Sequence, residues 1–94
     1  MSGLKIEFVT QKELNEIVQE KNSIRVGSTG NPQQRAQQLE AEGYAGTMYV
    51  AKTTNMQLAE NKLLEYQPRH NERLKSNAPN DEGFVFLIKG RKMK

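Results

Sequence analysis

The sequence lacks cysteine altogether and contains a single histidine, His70. Disulfide bridges and thiolate zinc sites are therefore excluded as sources of stability, and one histidine is too few for a zinc site. The absence of cysteine does not by itself identify a redox compartment. No set of serine, histidine and carboxylate residues has the local spacing typical of nucleophilic or paired-carboxylate catalysis.

Long apolar runs are also missing. No stretch approaches the roughly 20 residues that a membrane-spanning helix requires. Residues 1–5 lack the apolar core of a signal peptide. The sequence therefore predicts a soluble intracellular protein, in the cytoplasm or in the nucleoid or nucleus, with no membrane partner.

The sequence has few acidic residues relative to basic ones. Its 94 residues include 11 Asp and Glu and 14 Lys and Arg, which gives a formal net charge of +3. Solubility alone is an ordinary explanation for this excess. Its distribution is more informative, because two basic clusters could contact a phosphate backbone. One contains Arg69, His70, Arg73 and Lys75, and the other is a basic tail at 89–94 that contains Lys89, Arg91, Lys92 and Lys94. A frayed, solvated end is the ordinary alternative for the tail.

Hydrophobic periodicity predicts the order strand-helix-strand-helix-strand-helix-strand. The predicted strands span 4–9, 24–27, 46–51 and 83–88, and the predicted helices span 11–21, 32–42 and a segment from Thr54 or Asn55 to Pro68. The inner face of the third helix is predicted to contain Met56, Ala59, Leu63 and Tyr66. Residues 69–82 are polar and predict a loop. Without an internal repeat or linker, the chain is expected to form one small α/β (α+β) domain over 1–94.

Local signals place the helix ends. Thr10 and Glu13 have the spacing of a capping box. Asn31 followed by Pro32 predicts a helix start, because asparagine caps free N–H groups and proline is tolerated in the first turn. Gly43 predicts the end of that second helix.

The segment Ile24–Arg35 is predicted to form a strand, a glycine turn and the start of a helix. This order places backbone N–H groups and the Arg35 guanidinium at one rim, where a phosphate could bind. Each residue also has an ordinary explanation. Gly27 and Gly30 are typical of turns that need positive φ. Thr29 can satisfy the turn backbone, and a lone arginine is usually solvated.

Glu60 and His70 are the other candidates for chemistry. One carboxylate can hold Mg²⁺ when water and substrate phosphates complete the coordination shell, although a single helix glutamate is most often exposed. Histidine titrates near neutrality, so His70 could act as a general base or donate to a phosphate. An exposed loop position is the alternative for His70.

Two segments together resemble a known family. Arg25-Val26-Gly27-Ser28-Thr29, followed by Asn31 and Arg35, resembles the YIG half of the GIY-YIG nuclease family. The segment Ala59–Asn71 resembles that family's metal-binding glutamate helix and its closing Pro-x-x-Asn. The resemblance is closest to the nuclease domain of bacterial excision-repair enzymes and covers about half the chain.

The resemblance implies a central, mainly antiparallel sheet of three to four strands flanked by about three helices. It also implies that DNA is cleaved with a divalent metal, Mg²⁺ or Mn²⁺. By position, Arg35 would stabilise charge on the phosphate, Glu60 would bind the metal and Asn71 would support the site. The missing proton-handling groups could be replaced in space by any of four residues: Tyr44, Tyr49, Tyr66 or His70. Arg35 and Glu60 are then expected to meet in one pocket.

The sequence departs from the family pattern at several positions. Arg25 stands where the family has the tyrosine of YIG, and Leu39 stands where it often has histidine or tyrosine. The first motif, Gly-Ile-Tyr, has two candidate replacements, 3–5 and 83–85, and the second requires a permuted arrangement of the chain. Neither candidate contains a tyrosine.

Three functions follow as hypotheses: a metal-dependent DNA endonuclease, a catalytically silent domain that binds nucleic acid, and a module that binds a protein partner as a regulator or inhibitor. DNA is the preferred partner. The predicted nucleic-acid-binding residues are Arg25, Gly27, Thr29, Arg69, Arg73, Lys89, Arg91 and Lys92. Removing residues 90–94 is expected to weaken DNA binding and to leave folding intact.

Overall fold

The computed structural model describes residues 3–20, 23–66 and 78–92, and these form four strands and three helices. In chain order they are β1 (Leu4–Phe8), α1 (Gln11–Ile17), β2 (Ser23–Thr29), α2 (Pro32–Ala41), β3 (Tyr44–Thr53), α3 (Met56–Glu65) and β4 (Gly83–Lys92). The predicted order of elements and the α+β class are confirmed. Within the described ranges, no helix is long and apolar enough to cross a membrane.

The four strands form one mixed sheet in the order β1-β3-β4-β2. β4 pairs antiparallel with both β3 and β2, whereas β1 pairs parallel with β3. The sheet is therefore mainly antiparallel, as expected. β1, β2 and β3 run in one direction and each leads into a helix, so all three helices begin at the same end of the sheet, called here the helix-start end.

Helices cover both faces of the sheet, because successive side chains of a strand point to opposite sides. Along β4, Val85 and Leu87 join a core with Leu14 of α1 and Ala59 and Leu63 of α3. The alternate β4 residues pack with α2 on the other side, in a core formed by Ala36, Leu39, Tyr44, Met48, Val50, Phe86 and Ile88. These sides are called the α1/α3 face and the α2 face.

The predicted helix starts are present in the structure. Thr10 Oγ1 accepts the Glu13 N–H at 3.1 Å, and the Glu13 carboxylate accepts the Thr10 N–H at 3.2 Å, which completes the capping box. The Asn31 side chain accepts the Gln34 N–H at 3.2 Å, and Pro32 occupies the first turn of α2. Local sequence therefore determines where α1 and α2 begin.

The end of α1 and the buried face of α3 differ from the prediction. α1 ends at Ile17 rather than at residue 21, because the next turn closes with shorter-range bonds from the Gln19 and Glu20 N–H groups to the carbonyls three residues back. Tyr66 was predicted to be buried, but it lies beyond the end of α3 and is 40% exposed. Leu64 is buried instead. Pro68 lies outside the described residues.

β4 is four residues longer than predicted. The predicted strand ended at Ile88 because the following residues are charged, but pairing with β3 continues through Tyr44↔Lys92. Backbone hydrogen bonds extend a strand regardless of side-chain polarity when the side chains reach solvent. The basic tail predicted at 89–94 is therefore sheet over 89–92, and the remaining two residues lie outside the described part of the chain.

Candidate functional site

Two cations flank one buried tyrosine on the α2 face. Arg25 Nη1 donates to Tyr44 Oη at 3.5 Å, and the guanidinium carbon lies 5.8 Å from the centre of the Tyr44 ring. Lys92 Nζ lies 5.2 Å from the same ring centre. Both distances are within the range of cation–π attraction. Arg25, Tyr44 and Lys92 are called here the Arg25 cluster.

The strand register explains how these three residues meet. Tyr44 and Lys92 are direct cross-strand partners, so their side chains share a face. The same-face pair next to them is Gly46 and Gly90, which adopt φ of +129° and +150°, where any side chain would strike the partner strand. Because this pair carries no side chains, Arg25 can reach from β2 across β4 to Tyr44.

The Arg25 cluster contains positive charge that the described residues do not neutralise. The ion pairs found in residues 3–20, 23–66 and 78–92 are Lys5 with Glu7 and Lys89 with Glu20, so neither Arg25 nor Lys92 is paired there. The Arg25 Nε is buried and has no hydrogen-bond partner in the part of the chain that the structure describes. Burying a donor without an acceptor costs about 1–3 kcal/mol. Arg25 is therefore partly buried and short of one acceptor among the described residues.

The two glycines before α2 do not have the backbone conformation that was predicted for them. Neither Gly27 nor Gly30 adopts a positive φ, so the explanation from turn conformation is wrong for both. Gly27 is required by packing, since an added Cβ would lie 2.6 Å from Cζ of Phe86. At Gly30 an added Cβ would meet nothing within 4 Å.

Thr29 has a structural role that is duplicated elsewhere in the fold. Its Oγ1 accepts the Asn31 N–H at 3.1 Å and donates to the Asn31 carbonyl at 3.2 Å. Thr53 makes the same two bonds with Asn55 before α3, both at 3.2 Å. The same hydrogen-bonding pattern therefore precedes both α2 and α3. It explains Thr29 by its hydrogen bonds to the turn backbone, which is the structural alternative to ligand binding.

The structure places Arg35 and Glu60 in different layers. Arg35 is half-buried on α2 and donates to Gln38 Oε1 at 3.1 Å. Glu60 is half-buried on α3, which packs against the α1/α3 face. Both lie one turn into a helix at the helix-start end, but no hydrogen bond or ion pair described in the structure joins them. The shared pocket expected from the resemblance is not formed by a direct contact.

The other predicted site residues divide into two groups. Arg69, His70, Asn71 and Arg73 lie outside the described residues. Lys89 and Arg91 alternate with Lys92 along β4 and so point to the α1/α3 face, where Lys89 is paired with Glu20. No group of three or more His, Cys, Asp or Glu residues comes together in the described part of the chain, so metal binding at Glu60 stays a prediction.

Tyr44 was considered from the sequence only as a replacement for a missing proton-handling group, and its contacts with Arg25 and Lys92 were not predicted. It is only 7% exposed, and the sequence reading placed it before the third strand rather than within it. The available signal was the glycine pair at Gly46 and Gly90, but recognising it requires the register of β3 against β4.

The pairing of β4 shows which of the two segments predicted to replace the first motif lies beside β2. Phe84 of β4 lies directly opposite Thr29 of β2, whereas β1 lies at the far edge of the sheet. Segment 83–85, which requires the permuted arrangement, is therefore the one beside the YIG-like strand. No protein-family model, curated protein or solved structure matches the chain. The GIY-YIG resemblance accordingly rests on the sequence motifs.

Proposed function

We propose that this chain is a nucleic-acid-binding domain that contacts phosphate groups through the Arg25 cluster. The observation that supports this function is the charge of Arg25 and Lys92, which lie beside Tyr44 and have no ion-pair partner among the described residues. A phosphate oxygen would accept from the guanidinium, and its negative charge would offset both cations.

The placement of the cluster favours binding over structural support. A purely structural arginine at this burial would be expected to pair with a carboxylate or a carbonyl, as Lys89 does with Glu20. Within the described ranges, Arg25 instead makes one long side-chain hydrogen bond, to the Tyr44 hydroxyl. Lys92 is exposed, so a ligand can approach the cluster from solvent.

The test is the affinity of the protein for labelled DNA, measured by fluorescence anisotropy over a series of salt concentrations. Lys92→Ala and Arg25→Met should each weaken binding about tenfold and lower the slope of log affinity against log salt by about one. Lys5→Ala is the matched control, because it removes the same charge from the α1/α3 face and should leave the affinity within about twofold.

Thermal unfolding separates this role from a structural one. Arg25→Met should fold with equal or greater stability, because the variant removes an unsatisfied donor and keeps an apolar stem of similar length. Unchanged DNA affinity in both cluster variants, or a wild-type affinity that does not respond to salt, would contradict the proposal. A stability loss above about 2 kcal/mol in Arg25→Met would assign Arg25 to the core instead.

Metal-dependent cleavage of DNA is the second candidate. It is favoured by the pairing of 83–85 with β2 and by the matched positions of Arg35 and Glu60, each one turn into a helix at the helix-start end. Glu60 would hold Mg²⁺ or Mn²⁺, and Arg35 would offset charge on the phosphate. Nucleic-acid binding without cleavage is the first candidate, because Arg35 on α2 and Glu60 on α3 lie on opposite faces of the sheet.

A further inference from the structure

A phenylalanine lies exposed on the α2 face, far from the Arg25 cluster along the strands. Phe8, the last residue of β1, is 60% exposed, and its ring meets that of Phe84 edge to face, with 6.3 Å between centroids and 68° between planes. Lys52 of β3 pairs with Phe84 and is exposed. Phe8, Lys52 and Phe84 are called here the Phe8 platform.

The charged side chains that the strands place on this face are all cationic. The strand residues that share the α2 face include three cations, Arg25, Lys52 and Lys92, and no carboxylate among those described. In β1 the alternation sends the charged residues Lys5 and Glu7 to the opposite face, where they pair at 3.5 Å. The exposed ring therefore has Lys52 as its cationic strand neighbour and suits an anionic ligand with a flat apolar surface.

We propose that the Phe8 platform stacks an unpaired base of single-stranded nucleic acid, with Lys52 contacting the adjoining phosphate. This inference rests on the proposed function and specifies its ligand. Bases in a duplex already have both faces stacked on their neighbours, whereas an unpaired base offers a free face to an aromatic side chain. An exposed phenylalanine on a β-sheet beside a lysine combines the stacking surface and the backbone charge that such binding uses.

The closing experiment compares three ligands in the same anisotropy assay: a short oligothymidylate, an abasic strand of the same length and a blunt duplex. Wild-type protein should bind the oligothymidylate about tenfold more tightly than the abasic strand. Phe8→Ala should remove that preference and leave the affinities for the abasic strand and duplex unchanged, and Phe8→Tyr should keep it.

Leu58→Ala is the matched control, because Leu58 is 66% exposed on α3, on the other face of the sheet. It should bind all three ligands as wild type does. Binding to the oligothymidylate that is unaffected by Phe8→Ala would overturn the platform while leaving nucleic-acid binding in place. Failure of wild type to bind any of the three would overturn the proposed function itself.

The alternative to a nucleic-acid base on the Phe8 platform is a second copy of this chain. Sedimentation velocity of wild type and Phe8→Ala over a range of concentrations distinguishes it. A monomer in both proteins is expected, and a wild-type dimer that Phe8→Ala abolishes would assign the platform to self-association and overturn the inference.

Discussion

Gly27 and Gly30 lie on either side of the same short segment, yet an added methyl group would meet different surroundings at the two positions. At Gly27 it would enter the ring of Phe86, which is 1% exposed and cannot move without disturbing the core. At Gly30 it would enter open space. The glycine that looks like a ligand-binding element is therefore a packing requirement of the sheet.

Gly27→Ala should lower the free energy of unfolding by about 1–3 kcal/mol, the usual cost of overpacking a core. Gly30→Ala should be neutral or stabilise by up to about 1 kcal/mol, because alanine restricts the unfolded chain. Urea denaturation of both variants beside wild type measures the difference. Equal stability of the two variants would show that Phe86 adjusts and that packing does not require glycine at position 27.

Among the elements, β4 contributes both to the fold and to the proposed site. It pairs along its whole length with β3 and over much of it with β2. Its last residues, 89–92, were predicted to be a tail, but they pair with Thr47 through Tyr44 and place Lys92 on Tyr44. The expectation that residues 90–94 are dispensable for folding therefore does not fit the structure.

Deleting residues 90–94 should destabilise the protein by several kcal/mol, since it removes three cross-strand pairs and exposes Tyr44. Deleting only residues 93–94 removes none of the described pairs and should have no such effect. Thermal unfolding followed by circular dichroism compares the two truncations. An unchanged midpoint after the longer deletion would show that the end of β4 contributes little to stability.

The helix starts show what an element can determine from its own sequence. The same threonine-asparagine device begins α2 at Thr29 and Asn31 and begins α3 at Thr53 and Asn55. At the start of α3, the free N–H of Met56 also has a distant backbone acceptor, the Asp81 carbonyl, at 2.9 Å. The caps were predictable because they involve residues two or three apart, whereas the contact with Asp81 was not.

At the scale of the whole molecule, the sheet separates α2 from α3. Cleavage by Arg35 and Glu60 would require both side chains to reach one phosphate around the sheet at the helix-start end. We therefore expect that the protein with Mg²⁺ or Mn²⁺ binds plasmid DNA without nicking it. The measurement is conversion of supercoiled plasmid to the open form on an agarose gel.

Arg35→Ala and Glu60→Ala are the informative variants for this assay. Metal-dependent nicking by wild type that both substitutions abolish would contradict the expectation and establish the endonuclease. Nicking that persists in both would identify a contaminating activity. Retained DNA binding in both variants is expected in either case, because the Arg25 cluster lies at the opposite end of the sheet.

The sequence by itself determined the kind and order of the elements, because hydrophobic alternation and helical spacing are local patterns. It also determined where α1 and α2 begin, because Thr10 and Asn31 cap N–H groups only a few residues away. Arg25 was recognised as a candidate because it replaces an expected tyrosine.

The tertiary structure decided which residues Arg25 meets and which surfaces stay exposed. The contact with Tyr44 depends on the register of three strands, and a shift of one residue would send each side chain to the other face. Each helix lies on the face of the sheet that its apolar residues cover. Because α2 and α3 cover opposite faces, Arg35 and Glu60 lie in different layers. These relations join residues distant in the chain, and local patterns carry no information about them.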